Sequence, residues 1–68
     1  MNHIKITSEY ITLGQFLKFA GIISVGGEAK TAVKTHQIYV NGAFEDRRGR
    51  KIYPGDMVKV DNNAYKVE

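Results

Sequence analysis

The sequence contains no cysteine. That removes disulfide staples, thiolate ligands for zinc and a cysteine nucleophile together. It also suits a reducing compartment, and a cytoplasmic protein is the expectation. No apolar run approaches the roughly 20 residues that span a bilayer, and the opening MNHIKITSEY lacks the basic start and apolar stretch of a secretory leader. No membrane partner is expected. Repeats, low-complexity tracts and linker-like segments are absent too, so residues 1–68 are expected to form a single domain. Chains of about 60 residues bury only roughly 60% of the surface their unfolded form exposes, which demands a compact core.

What is present is an ordinary apolar content of 43% and a net charge of +3. The first excludes global disorder. The second favours polyanions such as nucleic acid or anionic lipid without selecting one. Ile4 and Ile6 in HIKIT alternate with polar neighbours, the period of a half-buried strand. Thr12 and Gln15 then stand at the spacing of a capping box, with Ile11 and Phe16 placed as its hydrophobic staple. Leu13, Phe16, Leu17 and Ala20 share one face of the resulting helix, and Gly21 is its stop. A second helix is expected from Ser24–Gly27 to about Thr35, with Val25, Ala29, Ala32 and Val33 as its apolar stripe.

From Gln37 the period changes to two. QIYV-NG-AFE centres Asn41-Gly42 between two strands as a type I′ hairpin turn. YPGD sets Pro54 and Gly55 as a type II turn, and MVKV-DNN-AYKVE reads as a further hairpin turning at Asp61–Asn63. The expected core is Ile6, Leu13, Phe16, Leu17, Ala29, Val33, Ile38, Val40, Ile52, Val58, Val60 and Val67. The fold class is α+β: two packed helices against a small, mainly antiparallel sheet of four or five short strands.

Catalytic chemistry finds no grouping. His3 falls at an expectedly mobile terminus and His36 at a helix end, and two histidines without cysteine define no zinc site. Glu45 and Asp46 are adjacent, so on a strand they point to opposite faces and make a poor acid–base pair. No enzyme, no cofactor and no metal is expected. A small sulfur carrier, of the kind that ends in Gly-Gly, is not expected from a sequence reading Lys66-Val67-Glu68.

Leu13, Leu17, Gly21-Ile22, Ala29-Lys30, Ile38-Tyr39-Val40-Asn41-Gly42 and Gly55-Asp56 follow in an order that resembles the S4 domain, a small RNA-binding module. The match covers residues 12–60. GGEAK and GRKIYPGD resemble more narrowly the short, free-standing S4 proteins of the YaaA type. The resemblance implies the S4 arrangement of helices and sheet, an RNA partner and association with the ribosome. The sequence departs from the family at Thr12, where many members carry an arginine, at Gly14, where they carry aspartate, and at Val25-Gly26, where they carry Ser-Arg. Two customary phosphate-contacting arginines are therefore missing, so either RNA affinity is weaker here or the positive charge has moved to other positions.

Candidate positions follow from charge and local geometry. Gly26 and Gly27 stand at a helix start, where bare amides attract anions and where glycine also allows close helix packing. Lys30 and Lys34, four apart, share one helix face. Arg47, Arg48, Arg50 and Lys51 flank Gly49 and place four of the ten basic side chains in five positions. Arginine forks suit phosphate oxygens, and a glycine lets a loop approach a backbone closely. Tyr39 alternates with Ile38 and Val40, so it is expected on the face opposite the core, where an exposed ring can stack on an unpaired base. The function expected is binding to structured RNA, ribosomal RNA first, through phosphate contacts from the second helix and the 47–51 loop. The alternatives are a protein-interaction adaptor using Phe44, Tyr53 or Tyr65 as exposed aromatics, and a DNA-binding accessory protein.

Overall fold

The first helix starts where its local chemistry requires. Thr12 Oγ1 accepts the Gln15 amide at 3.2 Å, and Gln15 Oε1 accepts the Thr12 amide at 2.8 Å. This reciprocal box opens α1 (Leu13–Phe19). At its end Gly21 takes a φ of +77°. The Gly21 amide then donates to the Lys18 carbonyl and the Ile22 amide to the Leu17 carbonyl, the two bonds of a Schellman stop. The computed structural model describes residues 1–68. α2 (Ala29–Thr35) follows a 3₁₀ turn at Gly26–Glu28. That tighter turn breaks the helical period, so Val25, expected in the apolar stripe, is 58% exposed and Ile23 is buried in its place.

The strands are β1 (Asn2–Ile4), β2 (Ile11–Thr12), β3 (Ile38–Val40), β4 (Ala43–Phe44), β5 (Lys51–Ile52), β6 (Met57–Val60) and β7 (Asn63–Val67). Five of them form one sheet in the order β1-β7-β6-β3-β4, antiparallel throughout except where β1 runs parallel to β7. β2 and β5 make a separate antiparallel pair. The α+β class stands as expected, with the short β2–β5 ladder added. The expected mobility of His3 is corrected: it lies in β1 opposite Lys66, and its Nδ1 is 2.7 Å from Glu68 Oε2. Tyr65 is corrected too. The alternation that buries Val67 turns Tyr65 the same way, and its ring packs edge-on to Phe16 with centroids 5.3 Å apart.

One apolar cluster joins helices and sheet. Every expected core residue belongs to it except Ile6, which is only partly buried against its rim. Ile11, Ile23, Ala32 and Tyr65 complete it. Asn41 and Gly42 carry φ of +51° and +86°, as a type I′ turn requires. Asn41 does more than turn the chain. Its Oδ1 accepts the Met57 amide at 2.9 Å, and its Nδ2 donates to Asp56 Oδ1 at 3.1 Å. The other Asp56 oxygen accepts the Tyr53 amide at 2.8 Å, closing the turn at Gly55. Two turns 15 residues apart in sequence are thus tied by one amide side chain. Asn41→Ala removes both bonds and puts a Cβ-only residue at positive φ, so it is expected to cost about 2 kcal/mol, read as a lowered urea midpoint with unchanged slope.

The segment after β4 is ordered by a buried acid. Glu45 is 5% exposed, the one charged residue of the buried set. Its Oε2 accepts the Arg47 amide at 3.0 Å and Arg47 Nε at 2.8 Å. Its Oε1 accepts Arg47 Nη2 at 3.1 Å and Arg50 Nη1 at 2.8 Å. The Arg47 hydrogen bond, with Arg50 adding to it, outweighs burial and holds the Glu45 carboxyl at about 2 instead of its ordinary 4.5. Because the folded value is depressed, this stabilisation is complete above about pH 4.5 and is lost as pH falls toward about 2. Glu45→Gln is expected to cost about 2 kcal/mol at neutral pH, since it leaves two arginines sharing one neutral acceptor. It is also expected to flatten the loss of stability across that acidic window, measured by chemical denaturation at stepped pH.

Candidate nucleic-acid interface

The clamped segment lies against the start of α1. The Leu13 amide donates to the Arg50 carbonyl at 2.8 Å and the Gly14 amide to the Arg48 carbonyl at 2.9 Å. These satisfy two of the first-turn donors that a helix leaves open. The approach is close enough to favour glycine. A Cβ at position 14 would stand 3.1 Å from Ala29 Cβ and 3.6 Å from the Arg48 carbonyl oxygen. Where the S4 pattern has aspartate, this sequence has a hydrogen in contact with both the second helix and the basic loop.

Between α1, the 3₁₀ turn and this loop runs a groove of about 430 Å³. Small residues line much of it: Gly14, Gly26, Ala29 and Gly49. Thr12 and Gln15 supply polar wall, and Lys18 and Arg48 supply the cations. Neither Lys18 nor Arg48 has an acidic partner, and both are exposed. Lys18 was not among the expected site residues. Its signal was present, since it stands one helical turn after Gly14 and therefore on the same face.

The expected cations divide into separate roles. Arg47 and Arg50 hold Glu45, with the Arg47 guanidinium also held above its ordinary pKa by that carboxylate. Arg48 alone of the three arginines enters the groove unpaired. Lys51 turns outward from β5, and its Nζ lies 4.9 Å from the Tyr10 ring centre. Lys34 Nζ stands 3.7 Å from Asp46 Oδ2, an exposed pair of the kind worth about 0.2–1 kcal/mol. Lys30, one turn before Lys34 on α2, is exposed and unpaired.

Gly26 lines the groove, whereas Gly27 borders a different depression beside Thr31 and His36. The amides of both glycines have no acceptor within the protein. The two preceding amides, of Ser24 and Val25, are each held by Glu28 Oε1 at 3.0 Å. A carboxylate therefore already serves this helix start. Tyr39 lies apart from all of these groups, on the sheet face turned away from the helices, with its ring centre 5.8 Å from that of Phe44. His36 Nδ1 is 2.6 Å from Asp61 Oδ2, and this bond with the Gln37 amide holds Asp61 below the usual carboxylate range. No three His, Asp or Glu side chains converge as a metal site.

A curated relative, the "Probable ribosome maturation protein RlbA" of Bacillus subtilis (strain 168), is 50% identical over 60 residues, covering 88% of this chain and 84% of that protein. The family model described as S4 domain matches residues 4–68. With nearly the whole length matched, the chain belongs to the S4 domain family.

Proposed function

We propose that this protein binds structured RNA by docking the α1–loop groove onto the phosphate backbone of a duplex segment. The observation that carries the proposal is the pairing of a small-residue groove with cations that nothing in the protein neutralises. Gly14, Gly26 and Gly49 let a sugar–phosphate chain approach closely, while Arg48 and Lys18 stand ready at its sides. Lys30 extends the positive surface along α2, and Lys34 adds to it when the weak contact to Asp46 opens. The unpartnered Gly26 amide faces the same space.

Arg47, Arg50 and Lys51 serve a different purpose in this reading. The first two fix the loop so that Arg48 is presented without a large ordering cost on binding. Lys51 contributes charge at longer range. The major groove of duplex RNA is too deep and narrow for side chains to read, and its minor groove is recognised mainly through 2′-hydroxyls and phosphates, so sequence selectivity is low and shape selectivity high. Ribosomal RNA is the structured RNA we assign, supported by the S4 family's RNA-binding character and by the ribosome maturation role in the relative's name. The protein then associates with ribosomal particles and carries out no chemistry of its own.

With about four phosphates engaged, log affinity for a hairpin RNA should fall against log salt with a slope of roughly −3. Fluorescence polarisation over a salt series measures it, and a slope near zero would overturn the electrostatic reading. Arg48→Glu combined with Lys18→Glu is expected to abolish hairpin binding, whereas Lys5→Glu, outside the groove lining, leaves it intact. A DNA hairpin of matching sequence, bound as tightly as the RNA, would reassign the ligand to DNA. Unchanged binding in the double variant, with a protein partner retained through Phe44 and Tyr53, would instead favour the adaptor alternative.

A further inference from the structure

The five-stranded sheet has one covered face and one open face. Helices and core side chains cover the side of Ile38, Val40, Val58, Val60 and Val67. Alternation and register give the other side a defined order. Phe44, Tyr39, Lys59 and Ala64 form one row across four strands, and Met57, Lys66 and His3 form the next. Phe44 is 59% exposed, and its ring meets that of Tyr39 edge to face with an interplanar angle of 73°. Each ring thereby limits the rotation of the other, which lowers the entropy lost if a third flat group packs against them.

Beside the rings lies a depression of about 530 Å³. Tyr39, Met57 and Lys59 border it, Ala64 keeps it open, and Gln37 and Asn62 stand at its margin with Asp61, whose carboxylate is held by His36 and the Gln37 amide. The electrostatics of this face favour an anion. Lys59 and Lys66 enter no ion pair, whereas the acids closest in sequence and register are already engaged: Asp61 by His36, Glu68 by His3, and Asp56 by Asn41. Flat apolar rings and free ammonium groups on one surface fit one ligand chemistry. A duplex keeps its bases stacked inside and offers the rings nothing, whereas an unpaired strand offers both base faces and phosphates.

We infer that the open sheet face is a second RNA surface, which takes unpaired bases by stacking on Tyr39 and Phe44 while Lys59 and Lys66 hold the adjoining phosphates. It goes beyond the duplex-binding groove, because no residue lines both depressions. A protein with a duplex groove on its helical side and a base platform on its sheet side bridges a paired and an unpaired segment of RNA. The natural target is a junction where a stem opens into a loop.

The test uses two labelled probes, an unstructured oligouridine and a closed RNA hairpin. Phe44→Ala and Tyr39→Leu are each expected to weaken oligouridine binding by about five- to a hundredfold, the usual effect of losing one stacked base, and to leave hairpin binding unchanged. Phe44 is exposed, so its truncation spares the fold. Arg48→Glu is expected to do the reverse. Oligouridine binding that survives both aromatic changes, or that Arg48→Glu abolishes, would overturn the inference. A photoreactive phenylalanine analogue at position 44 gives an independent readout in the intact protein. Adducts to nucleobases support the assignment. Adducts to protein alone would place a protein partner on this face and overturn it.

Discussion

Glu45 brings a carboxylate to a place that water barely reaches, and two arginines cover it from the solvent side. Burying such a charge costs several kcal/mol unless partners surround it, so the loop has little choice but to fold back and supply them. Arg47 and Arg50 meet the same carboxylate from positions on either side of Arg48-Gly49. The chain between them is drawn into a narrow arch. That arch presents the Arg48 and Arg50 carbonyls to the first amides of α1 and leaves the Arg48 side chain on the open side. One buried acid therefore fixes the loop, caps the helix from outside and defines the wall of the groove. Removing it would leave two guanidinium groups to repel each other at the point where α1 begins.

The consequence for charge is the opposite of what a count of basic residues implies. Residues 45–51 hold four basic and two acidic side chains, a local excess of two rather than four. Arg47 and Arg50 are committed to structure, and Asp46 draws Lys34 toward the loop. Around the groove, the cations that remain unpaired are spread over three elements: Lys18 on α1, Lys30 on α2 and Arg48 on the loop. A duplex backbone is extended and carries its charges at intervals, so a spread of single charges fits it better than one dense knot. The electrostatic surface is an outcome of tertiary structure more than of local composition.

Much of the fold was legible because it is written in local chemistry. The Thr12–Gln15 box, the Gly21 stop, the Asn41-Gly42 turn and the Pro54-Gly55 turn each depend on a few neighbouring residues whose dihedral preferences and side-chain reach are known in advance. Tyr65 was legible in principle, since the period that places Val67 inside places it inside as well. Glu45 was not. At the end of a two-residue strand and beside another acid it has every mark of a solvated residue, and only the closure of the loop onto α1 buries it. The parallel pairing of β1 with β7 was hidden for the same reason, because it joins the two ends of the chain. The candidate site was legible in its ingredients and not in its division of labour: the sequence pointed to Arg47, Arg48, Arg50 and Lys51 together, and the geometry commits Arg47 and Arg50 to Glu45, sets Lys51 against Tyr10 and leaves Arg48 unpaired.

The departures from the S4 pattern become connected once this geometry is in view. A threonine at position 12 caps α1 through its hydroxyl, which an arginine there would not do. A glycine at position 14 lets Ala29 come close, where any Cβ would crowd it at 3.1 Å. Both changes let the loop lie directly on the helix start, and the loop brings its own arginine with it. Lys18, one helical pitch of about 5.4 Å further along α1, faces the same groove from the other end. Positive charge that the pattern places at the first turn of the helix is here delivered from the side by the loop and from the next turn by lysine. The substitutions at 12 and 14 and the basic run at 47–51 are thus parts of one solution, in which a tighter helix–loop contact replaces a charged helix start.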